Sequence, residues 1–125
     1  MENEELNRIT EKIIVFSYKV SNTLGCGFLE KVYENSLACE FRKAGLPFKQ
    51  QFPIQISYEK EVVGDYIADF LVGEKVLVEL KAVKDLDEIH MAQCLNYLRA
   101  TGLKICMLIN FGNPKVEIKR IVNHY

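Results

Sequence analysis

The chain has 125 residues with 16 basic against 17 acidic side chains, a formal net charge of −1. That is enough for one domain with a real core, too little for a separate substrate-binding domain, and without the global basic excess of a nonspecific polyanion binder. The acidic start, Met1 to Glu5, and a longest apolar run of only Ile105 to Ile109 argue against a signal peptide and a membrane span, so the expectation is a single soluble, cytoplasmic domain over residues 1–125. Cys26, Cys39, Cys94 and Cys106 are widely spaced and form no C-x-x-C pair, which reads as free thiols, several of them in the core, in a reducing cytosol.

Along the chain, Ile9, Ile13, Phe16, Val20 and Leu24 recur every three or four residues and predict an amphipathic helix from Leu6 to Leu24, broken by Gly25-Cys26-Gly27. A second helix is predicted from Phe28, with Leu29, Tyr33, Leu37 and Phe41 on one stripe and Glu30 in its first turn, ending near Gly45-Leu46-Pro47. Phe52 to Tyr58 alternates as a strand, and Pro53 places it toward an edge. Two β-branched runs follow, Val62 to Val72 and Val76 to Ala82, joined by Gly73-Glu74-Lys75. Asp85 and Glu88 resemble a capping box opening a third helix that Gly102 closes. On it, Leu86, Ile89, His90, Gln93 and Tyr97 share one stripe. Lys104 to Phe111 reads as a central strand covered on both faces, and Val116 to Ile121 as a charged edge strand. The order is helix, helix, three strands, helix, two strands, and the helical crossover predicts an α/β or α+β fold on a mixed sheet.

The hairpin carries the chemistry. A three-residue loop centred on Glu74 sets Val72 against Val76 and hence Asp69 against Glu79, with Lys81 on the same face. Phe70, Val72, Val76, Val78 and Leu80 then line one face, and Ile67, Asp69, Leu71, Leu77, Glu79 and Lys81 the other. Two carboxylates ~5 Å apart in an apolar setting repel by roughly 3 kcal/mol at an effective dielectric near 20, so one holds a proton unless a cation lies between them. A divalent ion, Mg²⁺ or Mn²⁺, held by these acids and the Leu80 backbone carbonyl, removes the conflict and can polarise a phosphoryl oxygen, with Lys81 orienting water and stabilising developing charge. A second E-x-K, Glu117-Ile118-Lys119, is the internal control: reflected through its turn, Glu117 faces Asn110 and not an acid.

Asp-x9-Glu-x-Lys within an αβββαβ order resembles the PD-(D/E)XK nuclease superfamily, with its restriction-endonuclease-like core, here with an extra N-terminal helix and a final edge strand. Gly27-Phe28-Leu29-Glu30-Lys31-Val32-Tyr33 matches the G-x-x-E-x-x-Y signature of a small-protein family assigned to it, and His90-x-Ala92-Gln93-x3-Tyr97 and Leu108-Ile109-Asn110-Phe111-Gly112 look like the same family. The resemblance implies Asp69 and Glu79 as metal ligands, Lys81 as the catalytic lysine, Glu30 as a helix-borne acid facing the site, and Gln93 and Tyr97 in support. Ala68, where proline is usual before the aspartate, is a departure that the superfamily tolerates. The implied activity is metal-dependent hydrolysis of phosphodiesters in nucleic acid, DNA more than RNA. The alternative is a catalytically silent module of the same fold that binds nucleic acid or a protein, and a homodimer would enlarge its small, nearly neutral surface. Simpler readings exist for single residues: a buried ion-pair cluster for Asp69, Glu79 and Lys81, a helix-dipole acid for Glu30, a packed histidine for His90, and interface hydrogen bonding for Gln93 and Tyr97.

Overall fold

The apolar run after Lys104 is buried at every position of its strand, and the sheet is built outward from it. The computed structural model describes residues 2–123: helices α1 (Glu2–Leu24) and α2 (Glu30–Lys43), strands β1 (Phe48–Tyr58), β2 (Glu61–Val72) and β3 (Val76–Lys81), helix α3 (Glu88–Thr101), and strands β4 (Ile105–Asn110) and β5 (Glu117–Val122). The five strands lie in the order β1-β2-β3-β4-β5. All neighbours are antiparallel except β3 and β4, which α3 makes parallel by returning the chain across the sheet. This is the mixed sheet that the element order predicts, with β4 an interior strand covered on both faces and β5 at an edge.

The alternation of β3 and β4 divides the core into two layers. Phe70, Val72, Val78, Leu80, Met107 and Ile109 pack under α1 and α2, against Ile13, Leu37 and Phe41. Leu71, Leu77, Cys106 and Leu108 pack under α3, against Cys94, Tyr97 and Leu98. Of the four cysteines, Cys94 and Cys106 are core residues while Cys26 and Cys39 are exposed.

The β2–β3 register follows the expected hairpin, with Val72 opposite Val76 and Phe70 opposite Val78. Its turn places Gly73 and Glu74 at φ 61° and 60°, and Lys75 N–H closes it on the Val72 carbonyl. A side chain at residue 73 would also collide with Ile9, whose Cδ1 lies 2.7 Å from where a Cβ would stand.

Three expectations need correction. The first strand begins at Phe48, four residues early, because Phe48 packs against Phe41 and Phe70. The cap of α3 is Asp87 and not Asp85: its carboxylate accepts from Ile89 and His90 N–H, and His90 Nδ1 accepts from Asp87 N–H, filling the place assigned to Glu88. Ile89, on the same stripe of α3 as His90, Gln93 and Tyr97, is exposed and lines a cleft with them. Finally, Ile67 does not share a buried face with Asp69. Phe48 and Phe70 belong to the α1–α2 layer, yet Phe52, Ile54 and Ala68, of the same parity, belong to the α3 layer. Both strands change face at the level of Gln51 and Asp69, where Gln51 adopts φ 58° and the regular pairing skips both residues. Ile67 is thereby turned outward and is half exposed.

Candidate functional site

Regular β2–β3 pairing ends at Phe70 and Val78, and one step further the two acids take over the role of the backbone. Leu80 N–H donates to Asp69 Oδ2 at 2.7 Å, and Asp69 N–H donates to Glu79 Oε1 at 3.3 Å. Each carboxylate thus accepts an amide from the opposite strand, which fixes both side chains where the regular β2–β3 pairing ends. Lys81 Nζ lies 3.7 Å from Glu79 Oε2. Glu79 is buried, and its carboxyl is pushed up to about 8, first by burial and then by the charge of Asp69, against the opposing pull of Lys81. Burial also raises Asp69, against the lowering effect of the Leu80 amide. Ionising both acids would leave the pair with more negative charge than Lys81, the cation 3.7 Å from Glu79, neutralises.

Glu30 opens α2 and its side chain is accessible to solvent. Partial desolvation and then the charge of Asp69 hold its carboxyl above the usual range, with Lys81 acting against them, so it shares the electrostatic field of the hairpin acids. The remaining residues around it act as a mount. Tyr33 is fully buried; its hydroxyl donates to the Gly25 carbonyl at 2.6 Å and accepts from Phe28 N–H at 3.3 Å, tying down the loop that aims the first turn of α2. Gly25 and Gly27 supply that loop's positive φ values of 73° and 110°. The Tyr33 ring stacks on Phe111 at 4.6 Å, 6° from parallel.

Two participants have no obvious sequence signal. Glu34, one turn after Glu30, is buried and accepts from Gln50, from Gln51 at 3.0 Å and from Lys31 at 3.0 Å. Burial pushes its carboxyl up, but these donors outweigh it and hold it below the ordinary range. Gln51 Nε2 also reaches Asp69 Oδ1 at 3.5 Å. A left-handed non-glycine residue costs of order 1–2 kcal/mol. At Gln51 the hydrogen bonds to Glu34 offset that cost and place an amide between the two acids. The only hints in the sequence are an acid beside the Tyr33 stripe and a Gln-Gln pair ahead of an apolar strand.

From the other side, α3 brings Gln93 and Tyr97 to Lys81. All three line a cleft of about 1110 Å³ between α3 and the β1–β2 hairpin. Tyr97 is buried, and its phenol is raised by burial and then by the charge of Glu79. His90 also lines the cleft, with Nδ1 engaged in the α3 cap. The second E-x-K is the expected control: Asn110 pairs with Glu117 on the edge strand, and Asn110 Nδ2 approaches Glu117 Oε1 at 3.5 Å.

Among the described residues, no three acidic, histidine or cysteine side chains converge closely enough to grip an ion as they stand. The donor set nonetheless fits a hard divalent cation. Asp69, Glu79 and Glu30 offer oxygen only, and all three carboxyls sit above their usual pKa values, as expected of acids lacking a compensating charge.

Comparison with known proteins agrees with this geometry. In the solved structures, the chain is similar to a protein described as SSO0001, with a TM-score of 0.59 and 14% identity over 75% of this chain and 50% of that one. It is also similar to an alkaline exonuclease, LHK-Exo, from Laribacter hongkongensis, with a TM-score of 0.50 and 13% identity over 86% of this chain and 76% of that one. The chain therefore spans half the length of the first and about three quarters of the second. At such identities the likeness concerns the fold, which is restriction-endonuclease-like. No curated protein matches the sequence. The family model for the PD-(D/E)XK nuclease superfamily matches residues 7–121, which include the hairpin acids, Lys81, Glu30 and the whole sheet core, and the chain belongs to that superfamily.

Proposed function

We propose that this protein is a metal-dependent nuclease of the G-x-x-E-x-x-Y branch, hydrolysing phosphodiester bonds of nucleic acid, DNA in preference to RNA. The observation that carries the reading is the amide exchange between Asp69 and Glu79 with Lys81 at 3.7 Å, which holds two carboxylates and an ammonium together where the β2–β3 pairing ends. Asp69, Glu79 and the Leu80 backbone carbonyl, joined by Glu30 from α2, are the ligands proposed for Mg²⁺ or Mn²⁺. Such an ion supplies Lewis-acid polarisation of a phosphoryl oxygen and acidifies water. Lys81 Nζ orients the attacking water and stabilises the negative charge that develops on the phosphoryl group. Gln93 and Tyr97 position Lys81 from α3, and His90 contributes by setting the start of that helix. On this reading residues 1–125 work as one unit in the cytoplasm, where the four free cysteines stay reduced.

A silent binding module, alone or as a homodimer, is the second reading. The accessibility of Glu30, with no three acids converged among the described residues, favours it. Incubation with single-stranded, double-stranded and branched DNA and with RNA, in Mn²⁺ or EDTA, separates the two. Cleavage that needs Mn²⁺ and is abolished in Lys81→Ala and Asp69→Ala is the expected result. Cleavage that survives either substitution, or none on any substrate, overturns the nuclease reading.

A further inference from the structure

The β1–β2 hairpin extends well past the rest of the sheet. β3 pairs with β2 only from Phe70 to Val72, so beyond the Gln51–Asp69 kink the hairpin forms an arm that leans on α3 through Phe52, Ile54 and Ala68. The cleft between arm and helix is lined by Lys81, Tyr66 and Arg99 among others. Tyr66 stands opposite Ile54, with its ring 5.9 Å from that of Tyr97 and half of its surface exposed. Gln55, Gln93 and Asn96 add amide side chains, and among the described residues lining the cleft there is no Asp or Glu. In a chain with more acids than bases, this lining carries two cations, Arg99 and Lys81, the latter also 3.7 Å from Glu79, and no acid, which suits a polyanion. An exposed aromatic ring in the same lining, Tyr66, is the usual platform for a base, and only an unpaired base offers its face. A cleft of about 1110 Å³ has room for a few nucleotides of one strand.

We infer that the arm–α3 cleft binds an unpaired nucleotide strand, a base stacking on Tyr66 and the backbone led toward Lys81. This rests on the nuclease reading for the role of Lys81 and adds a substrate class to it. The test uses the metal-free protein in EDTA with a single strand of about eight nucleotides, as DNA and as RNA, carrying 2-aminopurine, and with the matching blunt duplex. The chain has no tryptophan, so the probe can be excited selectively.

The wild type is expected to bind the single strand more tightly than the duplex and to quench the probe, with the DNA and RNA arms showing which sugar it prefers. Tyr66→Ala should weaken binding about tenfold and abolish the quench, and Tyr66→Phe should keep both. Because Tyr66 is half exposed, the alanine variant should retain its fold, which a thermal melt verifies. Binding and quenching unchanged in Tyr66→Ala, a preference for duplex, or no binding by the wild type overturns the inference. Tyr66-dependent binding without any Mn²⁺-dependent cleavage would leave the cleft standing and remove the nuclease. Lys81-dependent cleavage indifferent to Tyr66 would do the reverse.

Discussion

Glu79 keeps its proton to mildly alkaline pH, its pKa moved from 4.5 to about 8 by burial and by Asp69. In the unfolded chain the same carboxyl ionises near its ordinary value, so between those limits the folded state holds more protons than the unfolded one. The stability this contributes is complete below about 4.5 and is lost as pH rises through about 8. Urea midpoints of the metal-free protein should therefore fall between about pH 5 and about pH 8.5, and Glu79→Gln should flatten the slope. A midpoint that rises over this range would contradict the assignment. Glu34→Ala should cost about 1–3 kcal/mol in the same assay, since it strips Gln50 and Gln51 of their acceptor. Asp69, Glu79 and Lys81 were legible because charge within apolar strands is conspicuous. Glu34 was not, because an acid beside a helical stripe looks solvated until Gln50 and Gln51 are brought over it, and that depends on a kink with no local signature: nothing in the spelling of Gln51 predicts a left-handed residue in mid-strand.

Loop length and turn chemistry made the β2–β3 register readable, and the control E-x-K fell opposite Asn110 for the same reason. The end of β4 was legible as a motif but not as a mechanism. Asn110, fully buried, accepts from Val83 N–H at 3.0 Å and donates to the Val83 carbonyl at 2.9 Å, clasping the chain just past Lys81. It also accepts from Gly112 N–H, and a Cβ at residue 112 would stand 2.0 Å from the Val83 carbonyl oxygen. Asn110→Leu should leave the Val83 amide and carbonyl unpaired and destabilise the fold by roughly 2–4 kcal/mol, read from chemical unfolding. A loss under about 0.5 kcal/mol would mean that the clasp is incidental. The face switch of β1 and β2 escaped the reading because strict alternation assumes an unbroken pleat.

For the molecule as a whole, helix and strand order sufficed for the α/β class and for β4 as an interior, doubly covered strand, since these follow from hydrophobic period and from a crossover long enough for one helix. The arm and its cleft could not be foreseen, as they depend on how far β2 outruns β3 and on the kink between them. Among the described residues no helix is long and apolar enough to cross a membrane. The proposed nuclease requires a divalent-metal site at the Asp69–Glu79 pair, and calorimetric titration of Mn²⁺ into the metal-free protein tests for it without requiring a substrate. Saturable binding by the wild type that Asp69→Asn abolishes is expected, with a melting temperature raised by Mn²⁺ only in the wild type. No saturable binding, or binding unchanged in Asp69→Asn, would contradict it.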